Sequence, residues 1–131
     1  MTIDHNMVKK TAAAYTAAWN SGAAEAVAEF YAEDGQIAIN RGEPWKGRAR
    51  IAEMASGFFA DVPDLTLVCD GVRCAADHVV YLWTFTGTHS ETKKSLRVAG
   101  WEEWDFDSNH KVKASRGWYD ADDYKRQTEG N

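Results

Sequence analysis

Apolar residues change period at Pro63. Before it, the larger apolar side chains of residues 3–20 fall at Ile3, Met7, Val8, Tyr15 and Trp19 with alanines between, a helical stripe ended by Asn20-Ser21-Gly22. Tyr15 and Trp19 lie one turn apart on one face. The segment AAEAVAEFYAED, residues 23–34, predicts a second helix, and RARIAEMASGFFADV, residues 48–62, a third that Pro63 stops. Between them QIAIN, residues 36–40, reads as a short strand. RGEPWKG, residues 41–47, reads as a loop around Trp45, suited either to an entrance or to a turn anchored by its own aromatic ring.

Beyond Pro63 apolar and polar residues alternate in four runs, residues 64–74, 78–89, 96–107 and 111–120, separated by turns at AAD, ETKKS and DSNH. Such spacing predicts a curved antiparallel meander. DADDYKRQ reads as a terminal helix, and the closing KRQTEGN, residues 125–131, as a short helical piece with a frayed tail. Helices first and strands after make an α+β fold. With 131 residues and neither repeats nor linkers, residues 1–131 form a single domain.

Charge narrows the functional classes. The net charge is -5, and the 15 Lys and Arg are scattered, which argues against nucleic-acid binding. No apolar run approaches a membrane span and the N-terminus lacks a signal pattern, so the expectation is a soluble cytoplasmic protein that does not contact a membrane. Cys69 and Cys74 stand in extended chain, where five residues span roughly 15 Å. Two reduced thiols are favoured there, although a turn at the intervening DGVR would permit a disulfide. His5, His78, His89 and His110 show no metal-ligand spacing, and no metal or cofactor is expected.

The order helix, helix, short strand, helix and four long strands resembles the nuclear transport factor 2-like cone. There, three N-terminal helices pack on a strongly curved, mostly antiparallel sheet that encloses a pocket. The pieces AYTAAWNSG, FYAEDGQIAIN, GEPWKGRARI, WTFTGTH and GWYDADDYKRQ carry this resemblance over nearly the whole chain. WTFTGTH and the terminal YD…Q are similar to the SnoaL-like group, which includes polyketide cyclases.

Laid against the sister family of ketosteroid isomerases, Tyr15 falls at the oxyanion-hole tyrosine and Glu102 at the protonated acid that donates the second hydrogen bond. The catalytic aspartate's place falls on Ile39, with Asn40 beside it. The resemblance to polyketide cyclases makes His89 the counterpart of their strand histidine. No counterpart of the Asp-Arg-Asp arrangement of limonene epoxide hydrolases is found. The resemblance also implies a homodimer, with the outer sheet face as the contact.

Each candidate has two readings. Alternation puts Gly100, Glu102, Trp104 and Phe106 on one face. If that face is inward, Glu102 is a neutral hydrogen-bond donor to a developing oxyanion with Tyr15 across the pocket; if outward, it is solvated and Glu103 is inside. His89 ends the face of Tyr81, Trp83 and Phe85, either as an acid or base at the pocket or as a strand-end histidine bonded to backbone. In the last strand Val112, Ala114, Arg116, Trp118 and Asp120 oppose Lys113, Ser115, Gly117 and Tyr119. Apolar weight favours burial of the first set, the resemblance the second. Asp120 is a site acid or the N-cap of the terminal helix.

Trp19, Trp83, Phe85, Trp104 and Tyr119 are expected to line the pocket and Asn40 to orient a ligand, while simple core filling accounts for many of the six tryptophans. The expectation is a cofactor-free isomerase or cyclase that moves protons on an apolar cyclic or polyketide-like carbonyl compound. A non-catalytic binding or association module of the same fold is the alternative.

Overall fold

The structure is a computed structural model that describes residues 4–76 and 78–129. Ile3, Asp77 of the expected AAD turn, and Gly130 and Asn131 of the expected tail lie outside the described residues. Helix α1 (His5–Asn20) starts at Asp4, whose side chain accepts the Asn6 N–H at 2.9 Å, and buries Val8, Ala12, Tyr15, Ala18 and Trp19.

Helix α2 covers only Ala24–Ala28, and strand β1 (Tyr31–Ile39) begins where the sequence predicts continuing helix. Strand pairing overrides the helical composition. The Val112 N–H donates to the Phe30 carbonyl at 2.9 Å, Tyr31 pairs with Val112, and the Tyr31 ring is fully buried, contacts a helix could not make. The two-residue strand β2 (Trp45–Lys46) pairs with Ile37 and Gln36 inside the expected loop.

Helix α3 (Arg48–Asp61) precedes β3 (Thr66–Ala75), β4 (His78–Thr88), β5 (Ser95–Phe106) and β6 (Val112–Tyr119), and helix α4 (Ala121–Glu129) follows. These strands match the four alternating runs to within two residues at each end. In α4, residues 125–129 are helical rather than frayed, because Gln127 clamps both backbone groups of Arg97 at 2.7 and 2.9 Å. No helix among the described residues is long and apolar enough to cross a membrane.

The six strands are ordered β2-β1-β6-β5-β4-β3, and the β1–β6 pair is parallel while the others are antiparallel. Register shifts at Tyr31/Gln36, Cys69/Gly71 and Asp105/Phe106 bend the sheet into the cone. Cys69 and Cys74 are free thiols in β3. Helix α1 packs against β3 and α3 against β1, so the helices close the concave face.

In β6 the face of Ser115, Gly117 and Tyr119 turns inward. Trp118, 45% exposed, stacks outside on Trp101 at 6.4 Å. Apolar weight is therefore the wrong guide for this strand. Gly100 is required by close approach: a Cβ there would collide with the Trp118 carbonyl oxygen and the Trp83 indole. Gly100→Ala is expected to cost about 1–3 kcal/mol in urea denaturation and to shift tryptophan fluorescence as Trp83 is displaced.

Candidate functional site

The cone holds a cavity whose empty space, counting its mouth to open solvent, is about 520 Å3. Its aromatic lining is Trp19 from α1, Phe58 from α3, Trp83 and Phe85 from β4, and Tyr119 from β6. Ile37, Ile39, Met54, Leu65 and Leu67 complete the apolar wall, so the position matched to the isomerase aspartate is an apolar wall residue. Glu102 is the single carboxylate in the lining, and it is 6% exposed.

Strand alternation sends Glu102 inward together with Trp104 and Phe106, whose burial fixes that face. Glu102 pairs with Tyr81 of β4 and Gly117 of β6, and the missing side chain of Gly117 leaves room beside it. Four neutral donors converge on its carboxylate. Oε1 accepts from Ser115 Oγ at 2.8 Å, the Trp104 indole N–H at 2.9 Å and the Tyr31 hydroxyl at 3.1 Å. Oε2 accepts from the Tyr15 hydroxyl at 2.9 Å. The two tyrosine hydroxyls are themselves 3.0 Å apart.

An indole N–H can only donate, so Oε1 is an acceptor, and an ionised, acceptor-only carboxylate satisfies all four donors at once. Hydrogen bonds to a charged group contribute about 1.5–3 kcal/mol each, which offsets the desolvation of a buried charge that has no cation within ion-pair distance among the described residues. Oε1 has Ser115, Trp104, Tyr31 and a longer 3.3 Å approach from Tyr15, while Oε2 has Tyr15 alone, so Oε2 keeps the larger unused capacity.

Tyr15 and Tyr31 titrate well above the ordinary tyrosine range, first because burial disfavours the phenolate and then because the Glu102 charge repels it. Tyr81 is also raised, chiefly by burial; its hydroxyl donates to Thr16, whose own hydroxyl donates to the Ala12 carbonyl at 2.8 Å. All three stay protonated in the fold and would ionise near pH about 10 in the unfolded chain. Their contribution is complete below that pH and is lost as pH rises through and beyond it, since the unfolded chain then releases protons the fold retains. Thermal midpoints between pH 8 and 12 are expected to fall steeply above about 10, with tyrosinate absorbance at these three positions appearing only on unfolding. In Tyr31→Phe the fall should be shallower.

The other expected residues are distributed as follows. Trp19, Trp83, Phe85 and Tyr119 line the cavity beside Glu102. Tyr15 does not face Glu102 across the pocket; it lies behind it, fully buried and bonded to it. Trp104 is likewise behind the carboxylate, stacked on Tyr81 at 4.9 Å.

Asn40 sits outside the cavity. At φ 52° its N–H donates to the Gly117 carbonyl at 2.9 Å and its Oδ1 accepts the Tyr119 N–H at 3.0 Å, so it fixes the end of β6 rather than a ligand. Asp120 is exposed and accepts the Asp123 N–H at 3.0 Å as the cap of α4.

His89 is buried but absent from the cavity wall. Its Nδ1 accepts the Glu91 and Thr92 N–H groups at 3.3 Å each, and its backbone closes the turn to Lys93 and Lys94. His89→Ala is expected to cost about 1 kcal/mol of stability through those two orphaned donors and to leave cavity ligand affinity unchanged, read by chemical denaturation beside a binding titration.

Tyr31 and Ser115 belong to the site without having been singled out. Ser115 shares alternation with Tyr119, a signal present in the sequence, whereas Tyr31 lies in the segment whose composition reads as helix. Among the described residues no three His, Cys, Asp or Glu side chains stand together as a metal-binding group.

Comparison with known proteins agrees with the fold. The chain superposes on a protein with a ketosteroid isomerase-like fold from Catenulispora acidiphila, solved in complex with trimethylamine, with TM-score 0.83, 17% identity and 92% of each chain covered. AclR from Streptomyces galilaeus gives TM-score 0.83 at 18% identity, covering 98% of this chain and 99% of its own. The epoxide hydrolase/cyclase-like enzyme SalBIII, of pyran ring formation in the polyether salinomycin, gives TM-score 0.80 at 17% identity, with 92% and 95% covered. At such identities the likeness is one of fold. A search of curated proteins finds no match. The sequence model of the SnoaL-like domain matches residues 12–114, most of the chain, and the protein therefore belongs to the SnoaL-like family within the nuclear transport factor 2-like superfamily.

Proposed function

We propose that this protein is a cofactor-free acid–base enzyme, an isomerase or cyclase that moves a proton on an apolar cyclic or polyketide-like carbonyl compound. One observation carries the reading: Glu102, the single acidic residue of an otherwise apolar cavity wall, is held by four neutral donors. Glu102 is the proton-transfer group. Oε2 takes a proton from the carbon beside the carbonyl, the C–H electron pair forms the enolate double bond, and the carbonyl oxygen gains the charge that Glu102 loses. Returning the proton to another carbon isomerises the substrate; attack by the enolate carbon on a second carbonyl closes a ring, breaks that carbonyl's π bond and makes an alkoxide, which takes back the proton held by Glu102.

Tyr119, whose titration is raised first by burial and then by nearby Asp61, keeps its proton and supplies a hydroxyl at the cavity wall for the carbonyl oxygen. Tyr15, Tyr31, Trp104 and Ser115 are positioning residues that hold Glu102 without reaching the substrate. Relative to the expected roles, Glu102 accepts where it was to donate, and it takes the base's part that Ile39 cannot fill. The family, which includes polyketide cyclases and isomerase-like proteins, supports chemistry of this kind. The same reading makes the protein a cytoplasmic homodimer whose ligand is a small apolar molecule, with the outer face around Trp118 seating the second copy.

Deuterium exchange tests the reading. Incubating 2-tetralone and related cyclic ketones with the protein in D2O, followed by proton NMR, should show exchange beside the carbonyl at least about 10²-fold above buffer. Apart from Glu102, Tyr119 and Gly117 the lining is wholly apolar, which favours the alternative of a binding module. Ketones that quench Trp19 and Trp83 fluorescence yet exchange at the buffer rate would establish that module and end the enzyme reading.

A further inference from the structure

The cavity pairs one negative charge with a continuous aromatic wall. Trp19 meets Phe58 edge-on with ring centres 6.1 Å apart, Phe58 meets Tyr119 at 6.3 Å, Tyr119 meets Trp83 at 6.4 Å, and Trp83 stacks on Phe85 at 6.0 Å. Five rings thus run contiguously around the space into which Glu102 opens, and all five line it. No lysine, arginine or histidine is among the lining residues.

The groups that face Glu102 from behind are Tyr15 of α1, Tyr31 of β1, Tyr81 of β4, Trp104 of β5 and Ser115 of β6. All are neutral. The four hydrogen bonds stabilise the carboxylate but leave its charge uncompensated, and the cavity is the one side from which a counter-charge can approach. Ring faces carry negative quadrupole potential, so they add to the attraction for a cation and oppose an anion. The walls reward apolar surface as well. A ligand that satisfies all three demands carries a positive charge sheathed in hydrocarbon.

We infer that this cavity binds apolar ammonium cations, tertiary or quaternary amines with alkyl or aryl substituents, with Glu102 as counter-ion and the Trp19–Phe58–Tyr119–Trp83–Phe85 wall as the cage. The inference shares with the proposed function the ionised Glu102 at the cavity wall and does not depend on catalysis. A carbonyl substrate that also bears a protonated amine satisfies both readings.

The test compares three molecules of similar shape: phenyltrimethylammonium, its neutral isostere tert-butylbenzene, and the anion benzenesulfonate. Quenching of Trp19 and Trp83 reads their affinities, and calorimetry checks them. In the wild-type protein the cation should bind at least ~10-fold tighter than the neutral isostere, and the anion weakest. Glu102→Gln should shrink the cation's advantage to under ~3-fold. Phe58→Leu, which leaves the carboxylate network untouched, should weaken the cation several-fold more than the isostere.

The wild-type order decides the matter even if Glu102→Gln fails to fold. A neutral isostere that binds as tightly as the cation overturns the inference, and so does a cation advantage that survives intact in folded Glu102→Gln. Failures remain separable from those of the proposed function. Cation preference without ketone exchange removes Glu102 as a base and leaves the cation site, whereas ketone exchange without cation preference does the reverse.

Discussion

Glu102→Gln is expected to lower ketone deuterium exchange by about 10²–10⁴-fold while changing the affinity of neutral cavity ligands by no more than a few-fold. Glutamine keeps the shape and an amide oxygen that can accept from Trp104, Ser115 and Tyr31, and its amide nitrogen can donate to the Tyr15 hydroxyl oxygen where Oε2 accepted. What it loses is the capacity to take a proton. Glu102→Leu has a different consequence, because it removes the acceptor and, even with the Tyr15 and Tyr31 hydroxyls 3.0 Å apart bonding each other, leaves three buried donors unpaired, each at about 1–3 kcal/mol. That variant should unfold or melt far below the wild type. Wild-type exchange in folded Glu102→Gln would remove Glu102 from the chemistry, and a Glu102→Leu variant as stable as the parent would contradict the donor network.

Trp104→Ala is expected to cost about 3–5 kcal/mol, a large share of the roughly 5–15 kcal/mol that holds a domain of this size. The ring is fully buried, stacked on Tyr81 at 4.9 Å, edge-on to Tyr15 at 5.2 Å and to Phe106 at 5.8 Å. Its removal opens a hole at the closed end of the cone behind Glu102. Trp104→Phe separates packing from hydrogen bonding, since it fills much of the space and deletes only the N–H held by Oε1. The phenylalanine variant should lose about 1–2 kcal/mol. Urea denaturation of both reads the difference, and equal losses would show that the hydrogen bond, not the ring, dominates.

Glu102 connects these two expectations. Its buried position is stable because neutral donors surround it, and the same donors, being neutral, leave its charge available to whatever enters the cavity. Replacing any one donor with a cation would satisfy the carboxylate more strongly and remove its usefulness as a base or counter-ion. The protonated state of Tyr15 and Tyr31, enforced by burial and by the Glu102 charge itself, keeps that arrangement intact through neutral pH.

Several features were legible in the chain alone because they follow from local backbone geometry. Alternation along residues 96–107 placed Glu102 with Trp104 and Phe106, and burying two large aromatics leaves the carboxylate no other direction. Pro63 stopped α3, Asp120 capped α4, and the change of period separated helices from sheet. The α+β class followed from the order of these elements, and the cone from the family resemblance that this order carries.

Other features required the tertiary structure because they join residues far apart in sequence. Tyr15 and Glu102 are 87 positions apart, and their bond exists only because α1 lies across the bent sheet. The sequence spoke for a pocket tyrosine and a pocket acid on opposite walls; the curvature set by the register shifts put one behind the other. Tyr31 was hidden by a helix-favouring segment that becomes strand only when β6 is there to pair with it. In β6 the less apolar face turned inward because pairing with β5 aligns Gly117 with Glu102 and Ser115 with Trp104, a constraint absent from β6's own residues. His89 shares the inward face of β4, as alternation requires, yet its ring is taken by the turn that follows. Periodicity is a property of one strand and is written in it. Contact depends on which strands meet and in what register, and that is decided by the packing of the whole chain.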